Sequence, residues 1–334
     1  MLSAMRGSVT GRRRIADRAN VERVIAVDWS GDRGAAGQRR KIWAGLWTAT
    51  STGKVDGGKV RLESGRTRDE LADWLIARSR ETPRMVVGLD FCFSFPAWFV
   101  RECGAGSAIE FWEAVAGGLG EHWLAAGCAD RRFWGKHPKP AEFCGDGLHR
   151  MLRATDIDCK LVARIPEAER AERVRGIAPK SVFQIGGAGS VGTASLRGMP
   201  VLQRLREVGF AVWPFDRSAL QEARPMVVEM YTRLNTGAVR KSNAAARAEY
   251  LRTKRCENAA YAALPRSVMV KARASEDAFD ALVSCMAMTA RRGEFATLGT
   301  PLDLEYKVEG WTWAPGMQAP QHEISKGRTE RVKG

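Results

Sequence analysis

The sequence predicts an α/β fold in which a mixed sheet is flanked by helices. Apolar, β-branched runs of the kind that form buried strands recur along the chain, and two of them, residues 24–27 and 85–89, stop directly before an aspartate. A stretch with helical spacing, residues 67–75, separates these two runs. The predicted order of the first elements is therefore β-β-β-α-β.

The first three strands are expected to form an antiparallel meander. The first ends at Asp28, residues 32–37 are predicted to form a turn, and residues 40–47 and 59–63 have the composition of the second and third strands. Short connections between consecutive strands favour antiparallel pairing.

The helix after the meander predicts how the fourth strand pairs. Thr67 and Glu70 have the spacing of a capping box in front of an apolar helical face. A helix between two strands favours a right-handed crossover and a parallel pair, most simply with the first strand. Asp28 and Asp90 are then expected side by side at one edge of the sheet.

Residues at about 97–180 are predicted to be an insertion made of helices and loops. Residues 108–126 have helical stretches, and the loop 131–140 interleaves cations with aromatic side chains. Such interleaving is typical of surfaces that bind single-stranded nucleic acid, and it is equally compatible with an ordinary solvated loop.

A glycine-rich turn follows the insertion. A short strand is predicted at 181–185, and Gly187, Gly189 and Gly192 then satisfy the dinucleotide-binding pattern, with Asp216 where a ribose-binding acid could lie. A helix is predicted to follow through about Val208, but Pro200 is expected to break it where this motif needs it intact. A glycine turn without a nicotinamide cofactor is therefore the preferred interpretation.

The C-terminal third supplies two more acids. A strand at 226–231 carries Glu229, and a strongly basic helix is predicted at 240–255. Ser275 is a predicted N-cap of a helix that carries Asp280 near its apolar face. The predicted domain covers 21–299, and residues 300–334 are expected to form a terminal tail.

Charge points to a polyanionic partner. The 334 residues have a net charge of +15, and the first 20 are predicted to form a basic, disordered arm. Positive charge on this scale suits a nucleic acid, DNA or RNA, although Arg-rich proteins need not bind one.

Other classes of site and location are not favoured. The seven cysteines include no CxxC pair, and the four histidines have no metal-ligand spacing, so neither a disulfide framework nor zinc is predicted. No apolar stretch is long enough to span a membrane, and the first residues lack a signal-peptide core. The expected location is cytoplasmic.

Four acids at the ends of predicted strands and on a predicted helix favour a metal-dependent reaction. If Asp28, Asp90, Glu229 and Asp280 converge, their negative charges raise one another's pKa values unless divalent cations neutralise them. Oxygen-only ligands suit Mg²⁺ or Mn²⁺, and two such ions roughly 3.5–4 Å apart can support hydrolysis of a phosphodiester. These four residues are the predicted catalytic set.

Nine further side chains are predicted to contact nucleic acid, because they lie in the cation–aromatic loop, beside the glycine turn, or on the basic helix. They are Arg131, Arg132, Trp134, Lys136, Lys139, Lys180, Arg240, Lys241 and Arg247.

Six strings in order carry a family resemblance: AVDWSG, GLDFCFSFP, PKSVFQIGGAGSVGTASLRGMP, VWPFD, VVEMY and DAFDALV. Over residues 21–295 the chain resembles the family called domain of unknown function 429, which is a group of predicted nucleases in the RNase H-like superfamily. The resemblance implies an RNase H-like fold with a mixed five-stranded sheet, three antiparallel strands first and then parallel ones.

The resemblance also implies roles for particular residues. Asp28 corresponds to the first-strand acid, Asp90 to the fourth-strand acid, and Asp280 to the acid on the closing helix, with Asp277 as an additional metal ligand. Glu229 matches the family's strand acid, although Thr232 stands where that motif has proline.

Two alternatives remain open from the sequence. Actin-like ATPases and sugar kinases share the superfamily, and the turn after Asp28 could serve a nucleotide-dependent phosphotransferase or ATPase. The chain could also be a nucleic-acid-binding protein whose RNase H-like site is inactive.

Overall fold

One mixed sheet organises the part of the chain that the computed structural model describes, residues 21–50, 58–135, 138–144, 148–161, 179–187, 189–218 and 220–317. Its strands are β1 (Arg23–Asp28), β2 (Trp43–Ala49), β3 (Gly58–Glu63), β4 (Met85–Leu89), β5 (Ala211–Trp213), β6 (Met226–Met230) and β7 (Thr312–Trp313). The strand order is β3-β2-β1-β4-β6-β5, and β7 also pairs with β6.

Helices cover both faces of the sheet. They are α1 (Ala35–Lys41), α2 (Arg68–Glu81), α3 (Ala97–Glu102), α4 (Ala108–Ala114), α5 (Gly120–Leu124), α6 (Leu148–Met151), α7 (Ala154–Leu161), α8 (Val191–Glu207), α9 (Thr232–Thr236), α10 (Ala244–Glu257), α11 (Ala259–Ala262), α12 (Arg266–Ala274), α13 (Glu276–Ala290) and α14 (Leu304–Glu309). A π-helical segment, Val115–Leu119, joins α4 to α5, and 3-10 turns lie at Ala141–Phe143, Leu220–Glu222 and Arg292–Thr297. No described helix is long and apolar enough to cross a membrane.

The predicted start of the fold is confirmed. Strands β1, β2 and β3 form an antiparallel meander, and β4 pairs parallel to β1. The capping box is present in α2, where the Thr67 hydroxyl accepts from the Glu70 N–H and the Glu70 carboxylate accepts from the Thr67 N–H. Local sequence signals therefore predicted these elements correctly.

Three local predictions are wrong. Residues 32–37 were expected to form only a turn, but α1 begins at Ala35. Residues 181–185 were expected to form a strand, yet Gln184 makes only an isolated bridge to Trp134. The helix predicted to run through about Val208 is present as α8 and ends at Glu207, but the break expected within it at Pro200 does not occur.

Packing explains why α8 continues as a helix past Pro200. The helix buries Leu196, Met199, Leu202 and Leu205 against the sheet. Burying each such side chain contributes about 1.5–3 kcal/mol, which together exceeds the roughly 3 kcal/mol that an interior proline costs.

The C-terminal region is not the predicted tail over its described part. Residues 304–313 form α14 and β7, and β7 extends the sheet by pairing parallel to the end of β6. Trp311 and Trp313 are almost completely buried there. The sheet therefore has seven strands where five were expected. The predicted arm at residues 1–20 lies outside the described residues.

The two faces of the sheet have different partners. One core contains side chains of α2, α3, α4 and α8 together with Val27, Val87, Leu89 and Val227. The other contains the helices from α10 to α13 together with Val24, Ala26, Val86 and Val228. Alternate residues of each strand thus enter different cores, as the period of two in a strand requires.

Candidate active site

Asp28 and Asp90 lie side by side at one edge of the sheet, as the sequence predicted. Val27 pairs with Leu89 in parallel register, and the Asp90 N–H donates to the Val27 carbonyl at 3.2 Å. Asp28 has the same strand parity as Ala26, so its side chain is directed to the face that α13 covers.

Helix α13 brings a third acid to this position. The Ser275 hydroxyl accepts from the Ala278 N–H and so caps the helix, which confirms the predicted start. The helix lies so close to β2 that a Cβ atom at Gly45 would be 2.5 Å from the Ala281 carbonyl oxygen. This close approach buries Asp280, which is 1% exposed.

Lys241 lies among these acids. Its ammonium forms a very short contact with Asp280 Oδ2 and lies 3.6 Å from Glu276 Oε1. Burial lowers the pKa of Lys241, but the charges of Asp280, Asp28 and Asp90 outweigh burial and raise that pKa above its usual value. We call Asp28, Asp90, Asp277, Asp280 and Lys241 the acid centre.

The carboxyls of the acid centre hold their protons more tightly than usual. Burial, followed by the negative charges of Asp280 and Asp90, raises the pKa of Asp28 well above its ordinary value. Burial raises the pKa of Asp280 to about 7, against the opposing effect of Lys241. Burial also raises the pKa of Asp277, with Glu276 adding to the effect. Burial is the main cause of this pattern, and repulsion among the carboxyls adds to it.

Hydrogen bonding within the acid centre is incomplete. Asp90 accepts from the N–H and the hydroxyl of Thr232, both at 3.2 Å, and these bonds partly offset the burial that raises its pKa. Asp280 Oδ1 is buried and has no partner among the described atoms. Asp28 accepts no hydrogen bond from the described chain. An unsatisfied buried carboxylate is unusual and calls for a functional explanation.

Glu229 does not join the acid centre, which corrects the prediction of four converging acids. It pairs in register with Leu89 and so points to the opposite face of the sheet from Asp28 and Asp90. Its oxygens accept from Arg153 at 2.6 and 2.8 Å, from the Thr312 hydroxyl at 2.6 Å, and from the Phe93 N–H at 2.7 Å.

Sequence reasoning missed the network around Glu229. Arg153 also donates to both oxygens of Asp156. The Glu309 carboxylate accepts from the N–H groups of Ala97 and Ala154, and burial raises its pKa to about 7. No local motif marks Arg153 or Glu309, because apart from Asp156, three residues after Arg153, their partners are distant in the sequence. We call Arg153, Asp156, Glu229, Glu309 and Thr312 the Arg153 network.

The predicted nucleic-acid contacts are scattered, and several have structural roles. Arg132 pairs with Asp130 and Glu102, and Arg247 is buried with its guanidinium on the carbonyls of Arg273 and Lys241. Trp134 is buried next to Phe143, so its ring is not available for base stacking.

The remaining predicted contacts are less constrained. Arg131, Lys180 and Arg240 are exposed, and Lys139 is half-buried with its ammonium 5.9 Å from the Trp134 ring. Lys241 belongs to the acid centre instead of the surface. Lys136 lies outside the described residues.

The glycine-rich turn is used for packing. A Cβ atom at Gly192 would be 2.0 Å from the Val182 carbonyl oxygen, so glycine is needed for the close approach. Asp216 is occupied by the Arg206 guanidinium and the Val212 N–H. Both features therefore have structural roles, and the interpretation without a nicotinamide cofactor stays a prediction.

The acid centre offers few ligands to a metal ion as it stands. Within the described part of the chain, no group of three or more histidine, cysteine, aspartate or glutamate side chains is arranged to hold a metal ion. Asp280 is occupied by Lys241, which leaves Asp28 and Asp90 as carboxylates without an ion-pair partner in the described chain.

Comparisons with known proteins add no assignment. No family model matches the chain, and neither a curated protein nor a solved structure matches it. The resemblance of the sequence strings to a nuclease family therefore stays a prediction.

Proposed function

We propose that this protein is a divalent-metal-dependent hydrolase of nucleic-acid phosphodiesters with an RNase H-like fold. The observation that carries the proposal is the acid centre. Asp28 from β1, Asp90 from the end of β4 and Asp280 from α13 share one site whose carboxyls have raised pKa values. Strongly perturbed carboxyls that converge from separate elements are typical of catalytic sites.

The architecture supports the RNase H-like part of the proposal. An antiparallel meander comes first, β4 lies parallel to β1, and β6 occupies the next position in the sheet. Helix α13 packs on β1 and β2 and delivers its acid to the end of β1. Strands β5 and β7 extend this arrangement beyond the five strands that the family resemblance implies.

The donor chemistry of the acid centre fits Mg²⁺ or Mn²⁺. These ions prefer oxygen ligands, and Mg²⁺ is commonly held by one or two carboxylates together with water and substrate phosphates. Asp28 and Asp90 would hold the ion, and the buried Oδ1 of Asp280 has no hydrogen-bond partner among the described atoms. A bound ion would polarise the phosphoryl group and lower the pKa of a water molecule.

Positive charge near the acid centre supports a polyanionic substrate. Helix α1, which follows the loop after Asp28, ends with the exposed residues Arg39, Arg40 and Lys41. The charge of Lys41 reaches Asp277, and Arg240 is exposed beside Lys241. Arg39 is paired with Glu70 and Lys41 with Asp32, so phosphate groups would gain most from Arg40 and Arg240, in agreement with the net charge of +15.

Cleavage assays test the proposal. Purified protein should cut labelled single- or double-stranded DNA or RNA when Mn²⁺ is present and should stop when EDTA is added. Asp28→Asn and Asp90→Asn should each lower the rate by at least about 100-fold, because both proposed metal ligands are needed.

Glu113→Gln, which changes an exposed carboxylate on α4, is the matched control and should keep full activity. Equal cleavage by the wild type and Asp28→Asn would reject the acid centre as the source of activity. Binding of nucleic acid without any cleavage would instead favour a binding protein with an inactive site.

A further inference from the structure

The acid centre contains an imbalance of charge. Five acids share this site: Asp28, Asp90, Asp277, Asp280 and Glu276. Lys241 is the cation placed among them. Lys41 also attracts the Asp277 carboxyl, but the Lys41 ammonium is paired with Asp32 at 2.9 Å. One ammonium therefore faces several carboxyls, which when ionised carry more negative charge than one ammonium neutralises.

Lys241 is built into the centre by its own segment of chain. Residues 237–243 connect α9 to α10, and two arginines hold this connection. Arg233 donates to the Val239 carbonyl at 2.7 Å, and the buried Arg247 donates to the Lys241 carbonyl at 2.5 Å. Asn243 caps α10 immediately afterwards. The position of the Lys241 backbone is therefore set by the fold.

The Lys241 ammonium is paired with some acids of the centre and not with others. It forms ion pairs with Asp280 and Glu276, both on α13. Asp28 and Asp90, at the strand ends, lie beyond ion-pair distance of Lys241 and of the other described lysines and arginines. The α13 side of the centre thus has its own cation, whereas the strand side has none.

We propose that Lys241 is a permanent cation of the acid centre, so that the centre takes one divalent ion, on Asp28 and Asp90, instead of two. This inference rests on the metal dependence proposed above. A second ion would have to displace Lys241 from Asp280, and the segment that carries Lys241 is fixed by Arg233 and Arg247. Asp280 would then position Lys241 rather than bind metal.

Counting bound Mn²⁺ tests the inference without any assay of activity. Equilibrium dialysis of the full chain should give one Mn²⁺ per wild-type molecule. Lys241→Met removes the charge but keeps the length of the side chain, so Asp280 becomes free and two ions are expected. Lys241→Arg keeps a cation and should still bind one. Asp28→Asn should lose the wild-type ion.

Thermal unfolding provides a second measurement. In EDTA, Lys241→Met should melt below the wild type because Asp280 loses its buried partner, and Mn²⁺ should raise its melting temperature more than that of the wild type. Two ions on the wild type, or one ion with unchanged affinity on Lys241→Met, would overturn the inference. If Lys241→Met does not fold, the wild-type count decides.

The outcomes separate the two proposals. Failure of every variant to bind Mn²⁺ at millimolar concentration would reject both. One bound ion on the wild type and two on Lys241→Met, with no cleavage of any nucleic acid, would support the role of Lys241 and reject the hydrolase.

Discussion

Two groups of acids lie on opposite faces of the same sheet, and they differ in how many hydrogen bonds the protein donates to their carboxyls. In the Arg153 network, Glu229 accepts four hydrogen bonds, two of them from a guanidinium. In the acid centre, Asp28 accepts none from the described chain and Asp280 keeps an unpartnered oxygen. The Arg153 network is almost completely buried, whereas in the acid centre Asp280 is buried, Asp28 is 9% exposed, and Asp90 and Asp277 are half-buried.

The difference indicates which group is structural and which is available for chemistry. Burying a charge without partners costs free energy, and proteins satisfy such groups wherever stability alone is at stake. The Arg153 network follows this rule and cross-links β6 with the segments around α3, α7 and β7. The acid centre departs from it, as sites that bind an additional ligand commonly do.

The largest expected effect comes from breaking the Arg153 network. Arg153→Met should lower the free energy of unfolding by about 3–5 kcal/mol, because Glu229 and Asp156 would remain buried without their cation. Urea unfolding measures this change. A loss below about 1 kcal/mol would contradict the structural role that we assign to the network.

The acid centre should make stability fall as pH rises. The pKa of Asp280 is raised to about 7, chiefly by burial, so the folded protein binds its proton more tightly than the unfolded chain does. The resulting stabilisation is complete below the unfolded pKa of about 4 and is lost as pH rises through 7, by up to about 1.4 kcal/mol per pH unit. Urea midpoints across this range measure it.

Asp280→Asn should flatten that dependence, since the titrating carboxyl is gone. Arg153 stays paired in this variant, so a general loss of structure is not expected. Parallel curves for the wild type and Asp280→Asn would show that the slope arises elsewhere, for example at Glu309, whose pKa is also raised to about 7.

Neutralising one acid of each group should change stability in opposite directions. Asp28→Asn removes a carboxyl whose ionised form is disfavoured by burial and by the neighbouring carboxyls, and at a pH high enough to ionise Asp28 it should stabilise the protein by about 1 kcal/mol. Glu229→Gln is the matched change in the Arg153 network and should destabilise, since it places an amide N–H₂ against donors. Similar losses in both variants would contradict the comparison.

The hydrogen bonds of two threonines give a last comparison between the two groups. Thr312 donates to Glu229 at 2.6 Å and Thr232 to Asp90 at 3.2 Å. Thr312→Val should cost about 1.5–3 kcal/mol, the range for a hydrogen bond to a charged group, and Thr232→Val should cost less because its bond is longer. Thermal unfolding of the two variants gives the order, and the reverse order would be unexpected.

Local signals predicted much of the fold. The capping box of Thr67 and Glu70, the N-cap at Ser275, and the apolar runs of β1 and β4 depend on neighbours within a few residues, so the sequence displays them. The error at Pro200 arose because burial across α8 outweighed a local penalty. Strand β7 was missed because a two-residue strand has no detectable period.

Part of the candidate site was predicted correctly, because that part also depends on signals that the sequence displays. Asp28 and Asp90 follow strands that pair in parallel, and the expectation that they meet needed only the order of the elements. The placement of Glu229 needed the register of β6 against β4, and a shift of one residue would have turned it to the other face. No pattern in the sequence reports that register.

By itself, the sequence determined the strands β1 to β4 with α2 before β4, the capped starts of α2 and α13, and the acids at the ends of β1 and β4. Only the tertiary structure decided which acids share a face, and that Lys241 is paired with Asp280 while Arg153 is paired with Glu229. Hydrophobic periodicity and capping act over a few residues, whereas charge pairing depends on distances between segments that only the packed sheet and helices bring together.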